Sequence, residues 1–347
     1  MRRDNRIKKI TIVSLSKGIL GENFIRHELD LGLKRLDELG IEVGFSKHAL
    51  SGEKFISEHP ESRAQDLLEA FKDDSDMILC AIGGDDTYRL LPYLFEHDEL
   101  KKAVKEKVFL GFSDSTVNHF MLHKVGLRTF YGQAFLSDVC ELDRDMLPYT
   151  KRCFEELIRT GTIAEIVPSD VWYESREDFS PAAVGSPTPS HPNEGFLLLQ
   201  GPEEFEGPIL GGCIDTIYDF FNNDRYEDSV RVCQKYGLFP EPDDWKGKIL
   251  LLETSEERPT PEKFKNMVTA LKEQGIFSVV SGVLFGKPAD EWYFEAYQRI
   301  LREVIDNPNL PVVVNVNVGH ALPRCIVPFG VRARVRVREQ RITFLQD

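Results

Sequence analysis

Apolar and polar positions change period repeatedly along this chain. Lys9 to Leu15 is a nearly continuous apolar run, the length of a buried strand. From Glu22 to Leu39 the apolar residues Ile25, Leu29, Leu33, Leu36 and Leu39 recur at helical steps, and Gly40 can end the helix. Ile41 to Phe45 reads as a second strand, His48 to Glu61 as a polar loop, and Ser62 to Asp73 as a helix facing inward through Ala64, Leu67, Leu68 and Phe71. Asp76 to Ile82 is a third strand; Gly83-Gly84 then turns into a helix from Asp86 to about Phe95. Val108-Phe109-Leu110 is a fourth strand. It breaks at Gly111-Phe112-Ser113-Asp114-Ser115 and resumes as a helix through Val117, Phe120, Met121 and Val125, closed by Gly126. A short apolar stretch follows at Arg128 to Tyr131. Strands alternating with helices at this spacing predict a parallel, doubly wound sheet, with ligand sites at the carboxyl ends of its strands.

Between Ser169 and Glu194 the period disappears into Pro, Ser and acidic residues, including Trp172, and the stretch reads as a loop or linker. The expected organisation is an N-terminal α/β domain over 1–168, a linker over 169–194 and a C-terminal domain over 195–347. In the second half, Gly195 to Gln200, Gly207 to Gly212, Lys248 to Leu252, Ser278 to Phe285 and Leu310 to Val318 read as strands. Ile214 to Phe221, Pro261 to Gln274 and Glu291 to Ile305 read as helices, and three short strand-like pieces close the chain. Near the end Arg332, Arg334, Arg336 and Arg338 alternate with small apolar residues, which reads as a solvated strand guarded against edge pairing.

With 347 residues, two domains are the prior. A formal net charge of -14 argues against nucleic acid as a partner, because a protein that lives on phosphate backbones is normally basic. Six scattered cysteines form no C-x-x-C pair, which argues for a reducing compartment and against a zinc ribbon. No apolar run approaches a membrane span, and the first apolar run is too short for a signal peptide; the expected location is cytoplasmic.

The chemistry gathers at strand ends. Ser113 occupies a strand, tight turn, helix layout, that of a nucleophile elbow, although Ser115 replaces the second glycine of G-x-S-x-G. The alternative is a serine that only caps the helix. Glu253 ends the apolar run KILLL, and His320 follows the Val-rich NVNVG. Gly83-Gly84-Asp85-Asp86 lacks the lysine of a P-loop, and its aspartates would repel phosphate; it suits an oxyanion donor better, with a second N–H from Asp114. His119 and His123 are four apart on a helix but lack the glutamate of H-E-x-x-H and a third ligand, so no metal is expected.

The blocks AIGGDDTYRLLPYL, GFSDSTVNHFMLHKVGLRTFYGQAF, GFLLLQG through ILGGCIDTIYDFF, KILLLETSEE and VNVGHALP together resemble the LD-carboxypeptidase family of serine peptidases, which includes the microcin C self-immunity hydrolases. The resemblance covers nearly the whole chain and keeps the family's block order. It implies a Ser113–Glu253–His320 triad and an oxyanion N–H near Gly84 and Asp85. It also implies an N-terminal flavodoxin-like α/β domain with the serine, and a smaller β-rich α+β domain with the other two residues. No metal or organic cofactor, and a homodimer, are further implications. Two departures bear on the substrate: Asp85-Asp86-Thr87-Tyr88 stands where murein-directed members have a Gly-Tyr-Gly type sequence, and GHALPRC lacks the aspartate that often follows Gly-His. Both leave the triad intact and lean toward the microcin-immunity branch. The expected activity is hydrolysis of an L,D-peptide bond in murein peptides, with a peptidyl- or aminoacyl-nucleotide as the alternative substrate. A non-catalytic protein that binds an acidic ligand is the rival from another class.

Overall fold

The computed structural model describes residues 5–345. The chain divides into two compact units: one up to Ile163 together with Arg176–Thr188, the other Ala164–Ser175 with Pro189 onward. The segment expected as a linker over 169–194 is therefore shared between them.

The first unit is built on β1 (Lys9–Val13), β2 (Glu42–Phe45), β3 (Met77–Cys80), β4 (Val108–Gly111) and β5 (Thr129–Tyr131). These pair in parallel in the order β5-β4-β3-β1-β2, the flavodoxin-like order. β3 is buried on both faces, as the unbroken apolar run Met77-Ile78-Leu79-Cys80 requires. The helices are α1 (Arg26–Glu38), α2 (Gly52–Glu58), α3 (Pro60–Lys72), α4 (Leu91–Phe95), α5 (Glu99–Ala103), α6 (Thr116–Lys124) and α7 (Pro148–Thr160).

Three of these differ from the sequence reading, α5 among them, since no helix is expected over Glu99–Ala103. The polar stretch His48 to Glu61, expected as loop, holds α2 and the start of α3. Its polar residues lie outward while Ile56 is fully buried, so one inward residue per turn is enough to seat so short a helix. α7 was not anticipated, yet its signals are ordinary: Pro148 in the first turn, Gly161 at φ 70° just past the end, and a buried stripe of Tyr149, Cys153, Phe154, Leu157 and Ile158.

The second unit contains β6 (Glu165–Ile166), β7 (Val171–Tyr173), β8 (Ser190–Pro192), β9 (Leu197–Gln200), β10 (Glu204–Cys213), β11 (Ile249–Glu253), β12 (Gly282–Gly286), β13 (Val312–Val316), β14 (Val327–Phe329), β15 (Arg332–Arg336) and β16 (Arg341–Phe344). Eight of them form a mixed sheet in the order β6-β16-β15-β10-β11-β12-β13-β9. Its centre, β10 to β13, is parallel, so four strand ends point the same way. Helices α8 (Ile214–Tyr218), α9 (Ser229–Lys235), α10 (Pro242–Trp245), α11 (Pro261–Glu273) and α12 (Phe294–Ile305) follow these strands, α11 and α12 burying regular apolar stripes.

The arginine strand is not an edge. β15 lies between β10 and β16, and its arginines face glutamates across the ladder: Arg336 opposite Glu204 and Arg334 opposite Glu206. Arg332 also pairs with Glu206, at 3.2 Å. The basic face is explained by cross-strand charge pairs and not by edge protection.

Candidate active site

In the first unit, three loops at the carboxyl ends of β1, β3 and β4 converge on Ser113. The serine has φ 63°, a left-handed conformation that a residue with a Cβ rarely adopts, at the turn between β4 and α6. A capping serine would not need this backbone. The turn fits closely against the glycine pair. A Cβ on Gly83 would lie 2.6 Å from Ser113 Cβ and 2.7 Å from its Oγ, and a Cβ on Gly84 would lie 2.1 Å from Ser16 Oγ. The two glycines are what allow the β3 loop to pass over the serine.

Polar contacts lock the loops. Oδ2 of Asp114 accepts from Ser16 Oγ (2.5 Å), Thr87 Oγ1 (2.6 Å) and Thr87 N (3.0 Å). Burial pushes the Asp114 carboxyl up, and these hydrogen bonds work against that. The Asp114 side chain is thus structural, and its oxyanion assignment concerns its backbone N–H alone. Arg63 donates to Asp86 through both Nη1 (2.5 Å) and Nη2 (3.1 Å) in a buried pair, and to the carbonyls of Leu15 and Ser16. The charge of Asp86 is thereby matched, while Gly84 and Asp85 stay exposed at the loop tip. The backbone N–H of Ser113 donates to Tyr131 Oη at 3.2 Å.

His119 is a core residue and not half of a metal pair. Nε2 donates to the Gly111 carbonyl (3.0 Å) and Nδ1 accepts from Thr129 Oγ1 (2.7 Å), the one assignment that satisfies all three groups with a neutral ring. Burial pushes its pKa down to about 4. His123 lies in the last turn of the same helix.

In the second unit, Glu253 and His320 come together at the ends of the parallel strands. Glu253 is the last residue of β11, in register with Cys213 at the end of β10, and its side chain is 0 % exposed. His320 follows β13 by a short turn. Glu253 Oε2 accepts from His320 Nδ1 at 2.8 Å and from its backbone N at 3.3 Å. Two glycines make room for the carboxylate: a Cβ on Gly286 would lie 2.8 Å from Glu253 Cβ, and one on Gly319 2.3 Å from Glu253 Oε2. Around the pair, Asp215 accepts from Ser255 N (3.0 Å) and Oγ (2.9 Å), with its carboxyl pushed up by burial.

The sequence reading missed Glu256. Its Oε2 lies 2.9 Å from His320 Nε2, so the imidazole has a carboxylate at each nitrogen. Burial opposes the charged ring, but Glu253 and then Glu256 outweigh it and raise the His320 pKa to about 10. Nothing in ETSEE distinguishes Glu256 from a solvated glutamate; only the return of the chain through His320 gives it a role.

Among the described residues, Cys213, Glu253 and His320 bring potential ligand atoms within 4.8 Å of one another. Burial, with Glu253 and Asp215 adding to it, pushes the Cys213 thiol well above its ordinary range. Ligation requires a thiolate, so this donor set is poorly suited to a cation. Elsewhere in the unit Trp172 stacks on His191 at 4.4 Å, with Lys287 Nζ 5.1 Å from the indole centroid.

The LD-carboxypeptidase N-terminal domain matches residues 10–132, and the LD-carboxypeptidase C-terminal domain matches residues 206–335. A "probable murein peptide carboxypeptidase" of Bacillus subtilis is 25% identical over 90% of this chain and 85% of its own length. The microcin C7 self-immunity protein MccF of Escherichia coli is 23% identical over 91% of this chain and 87% of its own. The crystal structure of an MccF-like protein from Streptococcus pneumoniae in complex with AMP is 60% identical, covers 98% of this chain and 99% of that one, and superposes with a TM-score of 0.97. No helix among the described residues is long and apolar enough to cross a membrane. The two domain matches, in the order and over the residues that carry the strained serine and the buried Glu–His pair, show that the chain belongs to the LD-carboxypeptidase family.

Proposed function

We propose that the protein is a serine hydrolase of the bond that joins an amino acid or peptide to a nucleotide, and not a murein peptidase. The observation that carries this choice is the 60% identity, over nearly the whole of both chains, to an MccF-like protein whose structure holds AMP. The murein-type relative is 25% identical and MccF 23%, so neither of those two separates the substrates. The Asp85-Asp86-Thr87-Tyr88 sequence after the glycine pair supports the same choice.

In this reading Ser113 Oγ attacks the acyl carbonyl and its proton passes to His320 Nε2. Glu253, on Nδ1, fixes the tautomer and stabilises the imidazolium. Backbone N–H groups at Gly84 or Asp85 and at Asp114 hold the developing oxyanion. The imidazolium returns the proton to the nucleotide-side leaving group as the acyl bond breaks. Water, deprotonated by the same histidine, then releases the acid from Ser113. No step calls for a metal or an organic cofactor.

The test is to incubate the protein separately with processed microcin C and with a murein tetrapeptide, following both by mass spectrometry. Release of the nucleotide moiety from the first, with the second untouched, is the expected result. Cleavage of the tetrapeptide alone returns the assignment to murein.

A further inference from the structure

His320 sits between two carboxylates that both accept and cannot donate when ionised. Glu253 is at Nδ1, 2.8 Å away, and Glu256 is at Nε2, 2.9 Å away. A neutral imidazole carries one N–H. Both contacts are hydrogen bonds only if the ring carries two. The arrangement is therefore built around an imidazolium, and a serine hydroxyl cannot pass its proton to a nitrogen already protonated.

The geometry points to Glu256 as a positioning residue that holds His320 in its protonated, resting form and releases Nε2 when the ring must act as base. This rests on the reading of His320 as the general base. The two carboxylates differ in the way such a device requires. Glu253 is completely buried, held by the backbone N–H of His320 and wedged between Gly286 and Gly319. It cannot leave. The Glu256 side chain is 74 % exposed, on the loop after β11, so water can replace its contact, although the bond to His320 holds its carboxyl down to about 2. Its neighbour Glu257 is turned elsewhere, accepting from Arg225 Nη2 at 2.7 Å.

Among the described residues, three other charged or titratable groups near the ring are engaged with other partners. Asp215 is bonded to Ser255, Cys213 lies towards Asp215 with Sγ 3.8 Å from its Oδ2, and Arg324 Nη2 lies 3.5 Å from the His320 carbonyl. The raised pKa of the ring agrees in direction. Because Glu256 is solvated, its share is modest: removing it lowers the His320 pKa by roughly one unit, on the order of tenfold more base form below that pKa.

The test uses the full chain with isotope-labelled histidine, the wild type beside Glu256→Gln and Glu257→Gln. NMR titration reads the His320 pKa, with the resonance assigned by its loss in His320→Gln. In parallel, a fluorophosphonate probe reports the base: Ser113 Oγ forms a bond to phosphorus, fluoride leaves, and His320 takes the serine proton. Glu256→Gln should lower the pKa and displace the labelling profile to lower pH by a similar amount, while Glu257→Gln changes neither. Glu256→Asp should lie between. An unchanged pKa in Glu256→Gln, or an equal shift in Glu257→Gln, overturns the proposal, because the contact then contributes nothing beyond general surface charge. Normal labelling of His320→Gln overturns the reading of His320 as base, a separate failure that leaves the NMR comparison to decide the contact.

Discussion

Gly319 and Glu253 are in contact across two strand ends, so close that a Cβ on the glycine would fall 2.3 Å from Glu253 Oε2. Gly319 also has φ 87°, a conformation that disfavours any side chain. The residue before the histidine is thus set by the carboxylate that orients the histidine. Gly319→Ala should separate the pair and reduce the rate of Ser113 labelling by at least about a hundredfold, given the sensitivity of such sites to small displacements. Far-UV circular dichroism should stay unchanged. Normal labelling of Gly319→Ala would show that the fit is incidental.

A second glycine is predicted to matter for the serine itself. A Cβ on Gly83 would overlap Ser113 Cβ and Oγ, at 2.6 and 2.7 Å. Gly83→Ala should abolish labelling at Ser113 while costing about 1–3 kcal/mol of stability, the usual range for local overpacking. Urea unfolding separates the two effects.

Asp114 is expected to report on stability. It collects three hydrogen bonds from Ser16 and Thr87 at one buried oxygen. Asp114→Ala strands those donors and should cost about 2–4 kcal/mol, since buried groups left unsatisfied are penalised individually. A loss below the error of the urea measurement would mean that the loops hold without it.

His119 gives a pH dependence of stability with a fixed sign. Its folded pKa is depressed to about 4 from an ordinary 6.5, so the unfolded chain binds the proton first. The stability that depends on a neutral His119 is complete above pH 6.5 and is lost as pH falls towards 4. The full effect is about 3 kcal/mol. Relative to wild type, His119→Gln should show a shallower decline across that window. Parallel declines would contradict the buried neutral assignment.

Strand-end logic singled out the positions of the candidate site, and the family resemblance implied their roles. Ser113, Glu253 and His320 each follow an apolar run and precede a turn, and that position can be read without coordinates. The parallel pairing of the first sheet is legible from alternating strands and helices, while its flavodoxin-like order is what the family resemblance implies. What was not legible depends on pairing between distant segments. The arginines of β15 look like edge protection until Glu204 and Glu206 of β10 are placed opposite them. Glu256 looks like any solvated glutamate until the turn after β13 brings a histidine to it. Helix α7 is a different case, because its proline, glycine and apolar stripe were all present in the sequence.

Whether Ser113 and His320 act as one unit is decided by turnover of processed microcin C in four proteins: wild type, Ser113→Ala, His320→Ala and the double variant. Groups that act together in a transition state are not additive. Each single change should reduce kcat by several orders of magnitude, and the double variant should be little worse than either. A remainder on the order of 10³-fold above the uncatalysed rate should survive, from the oxyanion donors and substrate positioning. If the two losses multiply, or if Ser113→Ala turns over near normally, the serine is not the nucleophile of this histidine.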